Sequence, residues 1–240
     1  FILINPIGAI YIVFKKFLVY IKMSADDKIL QCRNDIMVFV INNVENKIPL
    51  KEEEMRDILD KDKLLYKQCF PLVVESLKKV HGIILHKVPE SKKYICYSEL
   101  TACSTAEYDQ EQCRHLTLLF IILSYLLMKD CCVDEEQLFH FLKNIRIDID
   151  EEHVFFGANL RKLIADTFVK QLYLKREKSD SETEMETKYV YSWGYRATME
   201  FPPADVLHQT AEILGKEARE FVAVYNKYCS DKNEEAMAVE

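Results

Sequence analysis

Basic side chains concentrate between residues 153 and 178, where six of them accompany only two acidic residues. This positive cluster stands out in a chain whose formal net charge is -7. Lysine and arginine in such a cluster can contact the phosphate oxygens of DNA, with strong salt dependence and little sequence preference. The residues that we expect to make these contacts are Arg161, Lys162, Lys170, Lys175 and Arg176. The alternative is a solvated helix face whose long side chains cover apolar surface.

The sequence lacks the usual signatures of catalysis and metal binding. It contains no G-x-x-x-x-G-K-[ST], G-x-G-x-x-G or G-x-S-x-G motif, no H-x-x-x-H pair and no C-x-x-C pair. We therefore expect a protein that is not an enzyme and that needs no cofactor and no metal ion. A metal site of Cys103, Cys113 and His115 is conceivable, but buried or free thiols are the simpler interpretation. Reduced thiols are typical of the cytosol and the nucleus.

Two apolar segments could contact protein partners. In the segment 35–44, Phe39 and Val40 can join a core, whereas Ile41, about 100° further around the helix, can face outward. Together with Met37, Ile41 would form an apolar patch that a protein partner could cover, unless all of these residues belong to the core.

The run Leu116–Met128 has more apolar surface than a three-helix unit needs. A groove for a partner's amphipathic helix could be lined by Tyr125, Leu126, Phe139 and Leu142, unless these pack between two domains of the chain.

The order of predicted elements repeats once along the chain. In the first half of the chain, three helices come before two strands: the helices are predicted at 35–44, 51–59 and 70–80, and the strands at 83–87 and 94–97. The second half has the same order, with helices at 116–129, 134–144 and 153–169 and strands at 171–176 and 189–193. Helix, helix, helix and hairpin is the order of a winged-helix unit. We therefore predict a mainly α protein with small β-hairpins (α+β), built as tandem winged-helix domains, with a long C-terminal amphipathic helix that opens at Pro202-Pro203.

The domain boundaries follow from this order. A chain of 240 residues that is 49% hydrophobic can bury a substantial core, so we expect folded domains and not general disorder. The predicted parts are a leader (1–31), a first winged-helix domain (32–105), a second with the C-terminal helix (106–230) and an acidic tail (231–240). The leader is expected to be non-native or disordered, with the natural start at Met23. Neither the apolar stretch Phe1–Phe14 nor the run Leu116–Met128 reaches the roughly 20 residues of a membrane-spanning helix, so we expect no membrane partner.

Several separated motifs resemble the MAGE (melanoma-antigen) homology domain family. HVFFGANLRKLIADTFVKQLYL places Gly157 before an R-K-L-[LI] motif, and F-V-K-Q and Y-L runs follow it. Trp193-Gly194-Tyr195-Arg196-Ala197 is similar to the family's W-G-x-R-A motif. Pro49-Leu50, Glu54-Met55 and His81-Gly82-Ile83 resemble its P-[IV]-x-x-x-E-[ML] and F-G-[IL] motifs. The resemblance covers roughly residues 32–228, and motifs that recur in the right order are more specific than one short match.

This resemblance implies a tandem winged-helix fold without catalytic activity. Family members bind RING-type ubiquitin ligases, and one kind is a subunit of the SMC complex for DNA repair and recombination, where it contacts a RING subunit, a kleisin subunit and double-stranded DNA. By this resemblance Val40 and Ile41 would contact the RING partner, and the groove of the second domain would hold the kleisin. The expected protein is nuclear, chromatin-associated and a regulator of its partner ligase, with additional presence in the cytoplasm as an open alternative.

One departure from the family concerns the second wing, which is often proline-rich. Here the segment 179–187 carries Asp180, Glu182, Glu184 and Glu186 and no basic residue, so we do not expect this wing to hold phosphate. The second hypothesis is accordingly a MAGE-type adaptor that activates a RING ligase outside the SMC complex and does not bind DNA.

Overall fold

The structure is a computed structural model that describes residues 25–98, 109–179 and 188–229. The chain divides into two compact units, Phe1–Leu100 and Thr101–Glu240. The first helix begins at Ala25, inside the segment 1–31 that we predicted to be a leader. The leader before Ala25, the acidic segment 180–187 and the tail 231–240 lie outside the described residues.

The first unit has the element order of a winged helix. Its elements are α1 (Ala25–Asn43), β1 (Leu50–Lys51), α2 (Glu52–Asp57), α3 (Lys63–His81), β2 (Ile83–Lys87) and β3 (Lys93–Ser98). The three strands form an antiparallel sheet in the order β1-β3-β2, in which Leu50 pairs with Tyr94 and Leu85 with Cys96. The helices cover one face of this sheet with a core that includes Ile36, Val40, Met55, Val73 and Leu77.

The third helix of this unit starts earlier than its apolar pattern predicted. The Asp62 carboxylate accepts hydrogen bonds from the amides of Leu64 and Leu65, both at 3.0 Å, and so caps α3 at Lys63. Pro71, expected near the first turn, therefore lies inside the helix, where the Lys67 carbonyl receives no bond from it. The helix ends at Gly82, whose φ of 63° is the left-handed conformation of a helix C-terminus.

The second unit repeats the same order and adds a C-terminal extension. It begins with α4 (Gln110–Met128), β4 (Cys132–Asp134) and α5 (Glu135–Asn144). Helix α6 follows, made of Leu160–Lys162, a π-helical turn at Leu163–Thr167 and Phe168–Lys170. Strands β5 (Leu174–Lys178) and β6 (Tyr189–Trp193) complete an antiparallel sheet in the order β4-β6-β5. The predicted mainly α fold of two winged-helix units with small hairpins is confirmed.

Helix α6 begins seven residues after the predicted start at His153. Residues 153–157 close a loop in which the backbones of His153 and Gly157 exchange hydrogen bonds of 2.9 and 2.7 Å. Gly157 and Asn159 have φ values of 81° and 60°, so the backbone cannot continue in a right-handed helix before Leu160.

The C-terminal extension contains α7 (Tyr195–Glu200), α8 (Pro203–Ile213), a 3₁₀ turn (Ala218–Glu220) and α9 (Val222–Tyr228). The sequence predicted one long helix from Pro203 through Tyr225. It is interrupted after Ile213 because Gly215 adopts a φ of 65° and ends the helix.

The C-terminal extension covers apolar side chains of α4 that do not pack into the winged-helix core. Leu118, Ile122 and Leu126 pack into the winged-helix core, whereas Leu127 joins a second cluster with Val206 and Leu207 of α8. Polar groups fix the contact, since Thr210 Oγ1 lies 2.9 Å from Ser124 Oγ. Helix α4 is therefore buried on two sides, which explains why it is apolar around most of its circumference.

Candidate functional site

The basic residues predicted for DNA contact lie on α6 and β5. Lys162 and Lys170 are exposed on α6 and have no ion pair within the described residues. Lys175 is also exposed on β5, but its Nζ lies 2.7 Å from the Glu177 carboxylate. Only part of this positive charge is therefore available to a phosphate group.

Arg161 is held by an acidic residue of the preceding loop. Its Nε and Nη2 donate to the two oxygens of Asp150 at 2.9 and 3.1 Å, and its guanidinium lies 5.0 Å from the centre of the Phe139 ring. The hydrogen bond to Asp150 raises the pKa of Arg161. This bidentate pair orients the side chain along the surface of its own unit.

Arg176 is bound even more closely. Its Nη2 donates to both oxygens of Glu135 at 2.9 and 3.2 Å, and the guanidinium stacks over the Tyr189 ring at 3.5 Å. Both partners of the ion pair are about three-quarters buried, with 26% and 20% of their side chains exposed. The Tyr191 hydroxyl donates to the same carboxylate at 3.3 Å, and burial raises the pKa of this phenol. Arg176 thus connects β5 to α5 within the unit.

The hollow beside Arg161 is acidic in balance. It has a volume of about 430 Å³, and four carboxylates but only two strong bases line it. The lining residues are Glu135, Glu136, Phe139, His140, Lys143, Asp148, Ile149, Asp150 and Arg161. A phosphate group would meet net negative charge there, so this hollow does not extend the predicted DNA-contacting face.

The residues predicted for the RING interface lie on α1, with different exposure. Val40 is fully buried in the core and has no surface for a partner, whereas Met37 and Ile41 are half-buried at its edge. The outward position belongs to Val38, which is 56% exposed, and Leu30 is 44% exposed two turns before it. The sequence could have shown this, because Val38 lies about 200° around the helix from each of the core residues Ile36 and Val40.

The four residues predicted for a kleisin groove do not form one groove. Leu126 and Leu142 are fully buried in the second-unit core, so truncating either one would leave a cavity and destabilise the fold. Tyr125 stacks in parallel on Phe141, with ring centres 3.9 Å apart. Phe139 lies about 200° around α5 from Phe141 and packs near Tyr191. The structure instead brings together Tyr125 and Phe141 as a half-buried aromatic pair. The prediction from sequence did not include Phe141.

The W-G-x-R-A motif is structural. A Cβ at Gly194 would lie 2.2 Å from the Leu172 carbonyl oxygen, so only glycine fits at this position. The Arg196 side chain is 1% exposed and donates to the Gln171 carbonyl at 2.8 Å and to Glu200 at 2.9 Å. The Tyr173 hydroxyl also donates to Glu200, at 2.6 Å. The motif thus joins the end of α6 to α7, and it offers no ligand site.

Neither a metal cluster nor a membrane span is found in the described parts of the chain. No three His, Cys, Asp or Glu side chains there could hold a metal ion together. None of the described helices combines the length and hydropathy needed to cross a bilayer. The seven described cysteines are free, while Cys103 lies outside the described residues. Burial raises the pKa of the Cys69 thiol to about 11, so this thiol is not reactive at neutral pH.

Comparisons with known proteins give the same family that the motifs suggested. Residues 90–204 match the MAGE homology domain. The chain is 29% identical to human melanoma-associated antigen D2 over 210 residues, which are 84% of this chain and 34% of that protein. It is 25% identical to the mouse non-structural maintenance of chromosomes element 3 homolog over 206 residues, 84% of this chain and 73% of that one. The chain spans about a third or less of the length of the D-type antigens and of human trophinin.

The chain is also similar in fold to a solved structure, and the similarity includes both units. A chain of the "Nse1-Nse3-Nse4 complex" superposes with a TM-score of 0.78 at 25% sequence identity. The match covers 86% of this chain and 99% of that chain. Motifs, sequence and fold thus agree in a similarity to the MAGE family, and within that family the chain is Nse3-like.

Proposed function

We propose that this chain is a non-catalytic scaffold subunit of an SMC-type DNA repair complex, where it bridges a RING ubiquitin-ligase subunit and a kleisin subunit. The main support is the likeness to a chain of the Nse1-Nse3-Nse4 complex, which extends over 99% of that chain. Such a scaffold catalyses no reaction. It binds two partners at once and so raises the effective concentration of each partner near the other. It would act in the nucleus on chromatin and enhance its partner ligase by positioning it.

The RING subunit would bind the outward face of α1. This face carries the exposed side chains of Leu30 and Val38 beside the half-buried Met37 and Ile41. An apolar stripe along one helix is a surface that a protein partner can cover, and covering it removes apolar area from water. The buried Val40 supports this face from below.

The kleisin would bind at the stacked pair of Tyr125 and Phe141 on α4 and α5. Two half-buried aromatic rings provide a flat apolar platform of the kind that receives an amphipathic helix. The exposed Ile145 lies one helical turn after Phe141 and extends this surface. Phe139 is half-buried on another side of α5 and would lie at the edge of such a contact.

DNA contact would come from the lysines of the second unit more than from its arginines. Lys162 and Lys170 are exposed, while Arg161, Lys175 and Arg176 have carboxylate partners. Phosphate contact by an arginine would have to replace an ion pair that already exists, so its net gain is small.

The test is co-elution of residues 23–240 with the RING subunit and with a kleisin fragment on a sizing column. We expect Val38→Asp to abolish co-elution with the RING subunit, because a carboxylate would be buried in an apolar contact. Val80→Asp is the matched control, since Val80 is also exposed on a helix of the first unit.

Tyr125→Ala should weaken only kleisin binding. Its control is Phe155→Ala, because Phe155 is an exposed aromatic residue of the same unit. Failure of the wild-type chain to bind either partner would overturn the proposal.

The second candidate function is a RING-ligase adaptor that acts outside the SMC complex and does not bind DNA. The observation that favours it is the pairing of Arg161 and Arg176 with carboxylates of their own unit. It predicts that the wild-type chain co-elutes with a RING protein but neither with the kleisin fragment nor with duplex DNA.

A further inference from the structure

Two buried polar groups of the first unit lack hydrogen-bond partners, and both lie at one hollow between α2 and α3. They are Arg56 Nε and the Tyr66 hydroxyl, which have no partner among the described residues. A buried donor without an acceptor costs free energy unless a ligand or a water molecule satisfies it. We propose that this hollow binds a carboxylate from an acidic segment of a protein partner. The site goes beyond the proposed function and does not depend on the RING and kleisin contacts.

Arg56 has unused capacity for hydrogen bonds. Its guanidinium makes no hydrogen bond in the parts of the chain that the structure describes. Its ion pair joins Nη1 to Glu52 Oε1 over 3.6 Å, which is longer than a hydrogen bond. The side chain is 28% exposed, so a ligand can reach it. Because the planar guanidinium matches the geometry of a carboxylate, an entering carboxylate can accept two hydrogen bonds from Arg56.

Tyr66 supplies a second donor to the same hollow from α3. The residue is 8% exposed, and its hydroxyl is buried. Burial raises the pKa of this phenol well above its usual range, so the hydroxyl keeps its proton at neutral pH and can donate it to an anion. The charges of Glu52 and Arg56 also act on this pKa, which shows that the phenol lies near both side chains.

The lining of the hollow is positive in balance. Its volume is about 430 Å³, and three strong bases and one carboxylate line it. Lys63 and Lys67 are exposed and have no ion pair within the described ranges. The hollow beside Arg161 has the same volume but four carboxylates and two strong bases. Charge therefore favours an anion in the first-unit hollow. Its lining residues are Glu52, Arg56, Lys63, Tyr66, Lys67, Phe70 and Pro71.

The apolar part of the lining favours an amino-acid side chain over a nucleic-acid backbone. The rings of Tyr66 and Phe70 are stacked with their centres 5.0 Å apart, and Pro71 lies next to them in the lining. A glutamate side chain has methylene groups that can contact these rings and a charged end that can reach Arg56. A duplex instead presents rows of phosphates along its grooves, which a single hollow does not follow.

The experiment measures binding of a fluorescein-labelled octaglutamate peptide to the full chain by fluorescence anisotropy, with an octaglutamine peptide as the uncharged probe. Arg56→Gln and Tyr66→Phe each remove one donor group from the hollow. Arg33→Gln is the matched control for charge, because Arg33 is another partly buried arginine of the first unit and does not line the hollow. Tyr94→Phe is the matched control for the hydroxyl, since Tyr94 is a buried tyrosine outside this lining.

We expect Arg56→Gln to weaken octaglutamate binding roughly tenfold and Tyr66→Phe about fivefold, since each variant loses hydrogen bonds to a charged group. Glu52→Gln should tighten binding about threefold, because it removes the negative charge of the lining. Both control variants should bind octaglutamate like the wild-type chain, and octaglutamine should show no measurable binding.

The stability of Tyr66→Phe provides a readout that a structural role would reverse. Without peptide, this variant should have the same melting temperature as the wild-type chain or a higher one, because it loses an unsatisfied buried hydroxyl. A lower melting temperature would show that the hydroxyl already binds a neighbour in the unit, for which the nearby Tyr94 phenol is the candidate, and would overturn the inference.

Three binding results would also overturn the inference. The first is wild-type affinity of both Arg56→Gln and Tyr66→Phe, and the second is equal binding of the two peptides. The third is a larger effect of Arg56→Gln on binding of a mixed-sequence DNA duplex than on octaglutamate, which would assign the hollow to nucleic acid. A wild-type chain that binds no octaglutamate but co-elutes with the RING and kleisin partners would exclude this site and leave the proposed function intact.

Discussion

Side chains that look alike in the sequence have different surroundings in the fold. Arg161, Arg176 and Arg196 each bind a carboxylate, yet their exposed side-chain fractions are 53%, 26% and 1%. Arg196 is a structural residue, because it also satisfies the Gln171 carbonyl inside the unit. Losing one partner of such a buried pair leaves a charge uncompensated and is costly, whereas an exposed pair contributes little. The exposed fraction of an arginine side chain, and not its residue type, therefore decides whether it stabilises the fold or can contact a partner.

Gly194 allows the sharpest prediction at this scale. We expect Gly194→Ala to lower the free energy of unfolding by about 3 kcal/mol or more, because the new Cβ would lie within the contact radius of the Leu172 carbonyl. Urea denaturation followed by circular dichroism measures the change.

The matched control is Gly215→Ala, where a new Cβ meets no atom within 4 Å but φ is 65°. Its cost should be about 1 kcal/mol, from backbone conformation alone. Equal losses for the two variants would show that the close approach at Gly194 is not what requires glycine.

Helix boundaries decide which residues each element presents. Helix α3 begins at Lys63 because Asp62 caps it, and this adds Lys63 and Lys67 to a helix that the apolar pattern started at Phe70. We expect Asp62→Ala to lower the free energy of unfolding by about 1 kcal/mol, since two amide donors lose their acceptor.

Asp134 offers the matched control for this cap. It occupies the N-cap of α5, but its side chain makes no capping hydrogen bond. Asp134→Ala should therefore cost clearly less than Asp62→Ala in the same denaturation experiment. A loss at Asp134 as large as that at Asp62 would show that helix-dipole interactions of the carboxylate dominate over the hydrogen bonds.

Long periodic elements could be predicted from sequence, and short or non-local features could not. Strands at 83–87 and 189–193 match the pattern, whereas β1 and β4 are two and three residues long and too short to show a period. The late start of α6 depends on positive φ at Gly157 and Asn159, which apolar spacing does not reveal. The pairing of Arg176 with Glu135 joins residues 41 positions apart, so charge counting alone assigned Arg176 to DNA.

Each unit has its own hydrophobic core, and the sites that we propose for the RING subunit and for the kleisin lie in different units. Ile36, Val73 and Leu77 pack in the core of the first unit, while Leu118 and Ile122 of α4 pack in the core of the second. Substitutions at sites with no shared partners have additive effects on free energy. We therefore expect Val38→Asp and Tyr125→Ala to act independently on RING and kleisin binding.

The prediction for the whole molecule is that one chain joins two partners through sites that do not influence each other. A sizing column loaded with chain, RING subunit and kleisin fragment should give a ternary complex, and the two partners should not co-elute when the chain is omitted. Val38→Asp should remove only the RING subunit, and Tyr125→Ala should weaken only the kleisin. The kleisin affinity of the double variant, measured by titration, should equal that of Tyr125→Ala alone. Coupling above about 0.5 kcal/mol would mean that one partner changes the other's site, because independent sites add within that margin. A chain with separate cores then could not be described as a passive scaffold, and the energetic link between its two binding sites would become the mechanism to explain.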